Sequence, residues 1–291
     1  MKAIELFAGI GGMHAACPWL DVVAAVDINR DSQAVYGMNF PTPYAIRELE
    51  TLPFDWLAAQ HADLWWMSPP CTPFTRKGEQ RDLGDVRTRS LVHLVEAVCS
   101  IRPSVVVLEN VVGFETSQAY ATLALRWRDA GYGVQFQVLC PTQLGWPNRR
   151  PRVYVIASRT EVSLPPISRT ANPTLKEIVG TCEFVEPLSE LVLESHLATQ
   201  YREALDIVDL DDPSAVAACF GSSYGRTITK SGSYVKTESG VRRFAPREVA
   251  NILGFPSTFV LPEHIPNKRL WQLLGNSLSL PAVTHLMQVT R

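Results

Sequence analysis

Ala3-Ile4-Glu5-Leu6-Phe7-Ala8-Gly9-Ile10-Gly11-Gly12 decides the fold. A short apolar run, Ala3 to Leu6, has the length of a buried strand and ends in a glycine cluster at the turn into a helix. Glycine tolerates positive φ and lets backbone N–H groups approach a ligand, and a helix N-terminus favours a carboxylate or phosphate. A turn of this kind can also do no more than pack a helix on a strand. The next strand pattern, Val22 to Val26, closes on Asp27, eighteen positions after Gly9. At that spacing an acidic side chain accepts hydrogen bonds from ribose hydroxyls. The alternative for Asp27 is an N-cap of the following helix. Together the two signals point to an adenosine ligand, and the geometry alone does not choose between a dinucleotide and S-adenosylmethionine.

Moving outward, apolar strand patterns at Leu64–Met67 and Val105–Leu108 alternate with amphipathic stretches at Ser32–Asn39, Leu91–Ser100 and Ala119–Ala130, the last stopped by Gly131. Alternation of this kind implies an α/β fold with a mostly parallel sheet covered on both faces, completed by Val134–Leu139 and Val153–Ala157. From about Arg159 prolines become frequent, and Gly221 to Gly240 is rich in Gly, Ser, Thr and Tyr. The expected organisation is a catalytic and cofactor-binding domain over 1–158, completed by 264–291, with a small loop-rich domain over 159–263. A helix-like run opens again at Pro246-Arg247-Glu248, and Gly275-Asn276-Ser277-Leu278 precedes a final apolar helix.

The 291 residues suffice for one substantial domain and a smaller one, and a net charge of −2 excludes a generally basic nucleic-acid coat protein. A nucleic-acid partner would have to be held in a local basic cleft. Six scattered cysteines without a CxxC pair argue against a zinc site and a disulfide framework, so no metal is expected and a reducing, cytoplasmic setting fits. No stretch has the length of a membrane span, and a soluble monomer is expected.

Ser68-Pro69-Pro70-Cys71-Thr72-Pro73-Phe74 follows the strand ending at Met67, which places Cys71 at the carboxyl edge of the sheet, where α/β enzymes build their sites. The prolines stiffen the loop carrying the sulfur. A lone cysteine is otherwise a small buried hydrophobe. Leu108-Glu109-Asn110-Val111 brings a carboxylate to the same edge, although Glu109 alone could be a capping or ion-paired group. Asn148-Arg149-Arg150-Pro151-Arg152 adds guanidiniums that repel one another unless phosphate or carbonyl oxygens neutralise them. The bland reading of that cluster is a solvated turn.

In this order the motifs resemble those of the DNA-type cytosine-5 methyltransferases. Phe7 to Gly12 is similar to the first cofactor motif, Asp27 to the acidic ribose binder, Pro70-Cys71 to the nucleophile dipeptide and Glu109-Asn110-Val111 to the carboxylate motif. Arg150 and Arg152 match the two arginines of the basic motif, Arg243 to Glu248 the motif after the recognition domain, and Gly275 to Leu278 the last cofactor motif. Ser68 to Arg76, Leu108 to Glu115 and Ala250 to Pro256 resemble the branch that methylates a cytosine in the transfer-RNA anticodon loop. That branch has a Cys-Phe-Thr tripeptide where this chain has Cys219-Phe220-Gly221, and many DNA enzymes have a glutamine where Thr72 stands. Tyr44-Ala45-Ile46-Arg47 lacks the carboxylate that the family often sets against the adenine amino group.

The resemblance implies a Rossmann-like S-adenosylmethionine-dependent methyltransferase sheet with a small target-recognition domain. It implies Cys71 as nucleophile at carbon 6 of cytosine, Glu109 as the acid at ring nitrogen 3, and Arg152, supported by Arg150, on the exocyclic carbonyl. S-adenosylmethionine, released as S-adenosylhomocysteine, would lie against Phe7, Ala8, Gly9, Ile10, Gly11, Gly12, Asp27, Ile28, Pro69, Leu91, Asn276 and Ser277. Arg76, Lys77, Arg81, Arg87 and Arg89 follow the nucleophile on a polar stretch suited to backbone phosphates. The expected substrate is transfer RNA. A DNA cytosine-5 methyltransferase is the second reading, and a catalytically silent nucleic-acid-binding protein, against which Cys71, Glu109 and both arginines speak together, is the third.

Overall fold

Backbone pairing organises the chain around the glycine turn. The computed structural model describes residues 1–70, 88–169, 173–180, 191–238 and 240–290. Chain order gives β1 (Lys2–Leu6), α1 (Gly12–Ala16), β2 (Asp21–Asp27), α2 (Arg30–Asn39), β3 (Tyr44–Ile46), α3 (Phe54–Ala58), β4 (Leu64–Met67), α4 (Arg89–Ile101), β5 (Val105–Val111), α5 (Gln118–Asp129), β6 (Gly133–Leu139), β7 (Asn148–Arg149) and β8 (Arg152–Ser158). There follow α6 (Leu175–Gly180), α7 (Ser195–Gln200), β9 (Asp206–Val208), β10 (Ala217–Ala218), β11 (Ser233–Thr237), β12 (Gly240–Arg243), α8 (Pro246–Ile252), α9 (Asn267–Gly275) and α10 (Leu280–Leu286). No helix among the described residues is long and apolar enough to cross a membrane.

The chain divides into two contact units. The first is Met1–Leu139, Pro151–Pro166 and Thr284–Arg291; the second is Cys140–Arg150 and Ile167–Val283. Residues 264–283, grouped with the catalytic part in the sequence reading, therefore cluster with the second unit.

In the first unit seven strands form a sheet of order β3-β2-β1-β4-β5-β8-β6. Neighbours from β3 to β5 are parallel, and β8 runs antiparallel between β5 and β6. Alternation along the strands sends Ile4, Leu6, Trp65, Met67, Val106 and Leu108 into one core, together with Leu91, Leu94 and Val98 of α4 and Leu123 and Trp127 of α5. Ala25 faces the other way, against Tyr36 of α2. Ser117 caps α5 by accepting from the Tyr120 amide, and Gly131 takes the left-handed conformation just past its end. β5 runs three residues beyond the expected Leu108, because pairing with β8 continues to Val111 opposite Arg152. β3 was not foreseen: three residues are too few to show alternation.

The second unit holds a three-stranded sheet, β12-β11-β9, and the short parallel pair β7-β10. The Arg243–Glu248 motif has a physical role here. Glu248 on α8 is fully buried and takes both ends of the Arg242 guanidinium, at 2.7 and 2.8 Å, and also accepts from the Ala245 amide at 2.7 Å. Removing one partner of such a pair leaves a buried charge uncompensated. Glu248→Ala is therefore expected to destabilise the protein by about 3–5 kcal/mol, read as a lowered denaturant midpoint in equilibrium unfolding.

Candidate active site

Strand register aligns the residues at the carboxyl edge of the first unit's sheet. Val26, Leu6, Met67 and Leu108 lie side by side across β2, β1, β4 and β5. The next residues on those strands are Asp27, Phe7, Ser68 and Glu109. They form one row, and three inter-strand steps of about 4.8 Å give it a span of roughly 14 Å. That is room for a nucleoside cofactor and a target base side by side.

The glycine turn is held from several directions. Phe7, Gly9 and Gly11 all have positive φ, at 58°, 51° and 86°. A Cβ at Gly11 would come within 2.4 Å of the Phe40 ring and 2.9 Å of Tyr36, so the position admits only glycine. Asp27 accepts from the Gly9 amide at 2.9 Å and from the Asn29 amide at 3.0 Å. The N-cap of α2 is Asn29, which accepts from the amides of Asp31 and Ser32, so the capping alternative for Asp27 does not hold. Burial pushes the Asp27 carboxyl above the usual carboxylate range, against the opposing pull of the Gly9, Asn29 and Ile28 amides. Ile28 beside it is 64 % exposed, an open apolar surface at the strand end.

Residues that sequence reasoning passed over complete the turn. The Tyr44 hydroxyl on β3 donates to the Gly9 carbonyl at 3.1 Å. The Ser68 hydroxyl donates to the Phe7 carbonyl at 3.1 Å, tying the start of the cysteine loop to the strained residue. Glu48, one position beyond the stretch in which no carboxylate was found, lines a hollow of about 250 Å³ with Arg47, Thr51, Leu52 and Pro53. The Arg47 amide bonds the Asp27 carbonyl at 3.2 Å, which sets this hollow against the end of β2. A window one residue wider would have found Glu48.

Ala8, Ile10, Gly11 and Gly12 are buried within the turn, and Pro69 is buried at the head of the cysteine loop. Leu91 is 2 % exposed in the apolar core. Arg89 is exposed in the first turn of α4. Cys71, Arg76, Lys77, Arg81 and Arg87 lie outside the described residues.

Toward the chemical end of the row, Glu109 sits inside β5 and its Oε1 lies 3.1 Å from Nε of Arg152 on β8, both side chains largely buried. The neighbouring Asn110, 1 % exposed, donates from Nδ2 to the Pro69 carbonyl at 3.3 Å. That bond fixes the described end of the cysteine loop beside the carboxylate strand. The arginine cluster does not act as one group: Arg149 is exposed, whereas Arg150 is 3 % exposed. Within the second unit Arg150 donates to the Phe220 carbonyl at 3.0 Å, the Gly275 carbonyl at 3.2 Å, the Ser277 carbonyl and the Cys219 sulfur. Of the phosphate or carbonyl oxygens expected from sequence, Arg150 takes carbonyls, and it braces the loop that carries exposed Asn276 and buried Ser277.

A sheet of this order with a clamped glycine turn on its first strand is an α/β, Rossmann-like methyltransferase fold. The solved structure of the Schizosaccharomyces pombe Dnmt2 methyltransferase superposes with a TM-score of 0.87 at 26 % identity, covering 99 % of this chain and 97 % of that one. The human tRNA (cytosine(38)-C(5))-methyltransferase is 29 % identical over 99 % of this chain and 98 % of its own length. A Dictyostelium discoideum DNA (cytosine-5)-methyltransferase is 26 % identical over 99 % and 93 %. The family profile for C-5 cytosine-specific DNA methylase matches residues 1–214 and 214–290. The chain belongs to that family, whose methyl donor is S-adenosylmethionine.

Beneath the turn, Glu5 is 1 % exposed and accepts from the Met13 amide at 2.9 Å, with the His14 amide also lowering the cost of its charge, while its second oxygen is buried without a close hydrogen-bond partner among the described residues. Burial pushes its carboxyl up to about 8, with the charge of Asp27 adding to the effect. A carboxyl raised from 4.5 holds its proton in the folded state and loses it in the unfolded state. Its contribution to stability is full below pH 4.5 and falls as pH rises toward 8. Melting temperatures measured from pH 5 to 8 should decline more steeply for the parent than for Glu5→Gln; parallel profiles would refute the assignment.

Proposed function

We propose that this protein transfers a methyl group from S-adenosylmethionine to carbon 5 of a cytosine in transfer RNA, through a covalent adduct with Cys71. The row running from Asp27 to the Glu109–Arg152 pair carries this reading, because it offers an adenosine-type subsite and a base-facing carboxylate on one sheet edge. The clamped turn with its left-handed glycines and the exposed face of Ile28 fit an adenosyl group. Phe7 to Gly12, Asp27, Ile28 and Pro69 would hold the cofactor. When bound, the cofactor supplies an electrophilic methyl group on a sulfonium.

The protein's own residues supply the rest. Carbon 5 of cytosine is a weak nucleophile until a bond forms at carbon 6. The Cys71 thiolate forms that bond, and the electron pair displaced from the ring double bond builds charge toward nitrogen 3. Glu109 meets that charge with a proton. Arg152, held at 3.1 Å by Glu109, orients the carbonyl edge of the base. Carbon 5 then accepts the methyl as nitrogen 3 returns its proton to Glu109, carbon 5 gives up its own proton to water, and the electron pair of that C–H bond re-forms the ring double bond and expels the sulfur. Arg150 acts through the loop it braces and is a positioning residue.

Transfer RNA is preferred over DNA on two grounds. Relatives of full-length similarity carry the transfer-RNA name, and a base in a loop leaves its stack more cheaply than one in a duplex. We place the enzyme in the cytoplasm as a monomer, with the second unit as the target-recognition part and Arg76, Lys77, Arg81, Arg87 and Arg89 on the RNA backbone.

Tritiated methyl transfer to transfer RNA and to duplex DNA, measured side by side, is expected to label the RNA; label in DNA alone would reverse the preference. Cys71→Ala should abolish transfer while retaining S-adenosylhomocysteine binding. Glu109→Gln should lower the single-turnover rate by about 10²–10⁴-fold.

A further inference from the structure

Within the second unit lies a cavity that the proposed chemistry does not use. Its volume is about 290 Å³, and Trp146, Arg169, Thr142, Thr174 and Ser214 contribute to its wall. Ligand pockets run from roughly 300 to 1,000 Å³, so this one suits a single nucleoside and not a whole cofactor. We propose that it receives one unstacked nucleotide of the RNA, its base against the Trp146 ring and its phosphate on Arg169. This rests on the RNA reading above.

The indole is set for the task. Nε1 of Trp146 donates to the Ile252 carbonyl at 2.7 Å, and Gly145 before it has a φ of 90°, so backbone and ring are both fixed while the side chain stays half-buried at the cavity. A fixed aromatic face stacks on any base. Charge then selects the nucleotide over an apolar guest. Lys176 is paired with Asp211 at 2.6 Å and Lys236 with Asp209 at 2.8 Å. The carboxylates near the wall are committed too: Asp212 to the Ser214 amide and hydroxyl, Glu177 to the Thr174 amide and hydroxyl. The guanidinium of Arg169 is exposed, and the structure gives it no hydrogen bond or ion pair among the described residues. Exposed Arg149, two positions past the wall residue Pro147, is in the same condition.

The cavity also has a fixed relation to the rest of the unit. Its walls at 145–147 and 213–216 lead directly into β7 and β10, which pair as Ala217 with Asn148 and Ala218 with Arg149. Arg150 and Cys219, the next residues on each strand, are joined by their own contact at 3.3 Å. Two strand residues span about 7 Å, so a nucleotide held on Trp146 would lie about one short ladder from the loop that Arg150 braces.

The test uses the full chain with an unmodified transfer-RNA transcript, measuring binding across a salt series and single-turnover methylation at saturating RNA. Arg169→Ala should weaken binding about fivefold and reduce the slope of log K against log salt by about 0.7, as expected for one lost contact to single-stranded phosphate. Trp146→Leu should weaken binding about tenfold, while Trp146→Phe, which keeps a stacking face but not the bond to Ile252, should bind within about twofold of the parent. An equal loss in Arg202→Ala, an exposed arginine outside the cavity wall, would reduce the effect to general charge and overturn the proposal. Parental binding by Arg169→Ala overturns it as well, and that variant remains informative if Trp146→Leu fails to fold. A parent that binds and methylates no RNA would instead strike at the substrate reading beneath it.

Discussion

Everything at the candidate site depends on the register of four parallel strands. Parallel pairing fixes Val26, Leu6, Met67 and Leu108 at one level, so Asp27, Phe7, Ser68 and Glu109 emerge together at the next. A one-residue slip in any strand would turn its edge residue to the opposite face. The buried residues of the same strands oppose that slip, because both faces are covered and it would move Leu6, Met67 or Leu108 out of the cluster in which each is packed. Core packing and site geometry are therefore a single constraint. The hydrogen bonds across the edge, Gly9 to Asp27, Ser68 to Phe7 and Asn110 to Pro69, hold loops to that row once register is set.

Burial of polar groups is the second organising feature. In low dielectric an unmatched charge is costly, so each buried ionisable group shows how its cost is met. Arg242 and Glu248 meet it by bidentate pairing, and Arg150 by a ring of carbonyl oxygens. Glu5 meets it by holding its proton. His14 meets it by staying neutral: burial pushes its pKa down to about 4, its Nδ1 lies 2.8 Å from the Tyr36 hydroxyl, and its ring stacks on Phe40 at 4.0 Å. Two of these groups, Glu5 and His14, surround one glycine turn together with Asp27. Its shape thus rests on neutral or amide-bound partners that respond little to ionic strength.

The sequence carried the parts of this design that are local. Strand and helix periods, the glycine cluster and the eighteen-residue interval to Asp27 are all read within a short window, and they placed most of the sheet. What depends on register was not legible. Tyr44, Ser68 and Asn110 are ordinary polar residues until β3, β4 and β5 bring them beside Gly9, Phe7 and Pro69. The separate partners of the arginine run were not legible for the same reason. Three adjacent guanidiniums look like one anion site in sequence, but strand geometry exposes Arg149, buries Arg150 among carbonyls and pairs Arg152 with Glu109. β5 was cut short because polar Glu109 and Asn110 resemble a loop, and only the antiparallel partner β8 keeps them in the ladder.

The transfer-RNA preference is consistent with what the described residues of the second unit offer. Direct readout of duplex DNA needs an element that enters the major groove and presents several base-contacting side chains. The second unit offers instead short strands, a two-residue ladder and a cavity the size of one nucleoside. Such a surface is poorly matched to a groove and well matched to a loop whose bases are already splayed. RNA loops are recognised through stacking on aromatic faces and contacts to individual phosphates, and the proposed use of Trp146 and of Arg169, whose guanidinium has no partner among the described residues, would provide that combination on a small scale. The same economy explains the overall charge: with a net charge of −2 the protein has no long-range pull on nucleic acid in general, so affinity must come from a few placed cations.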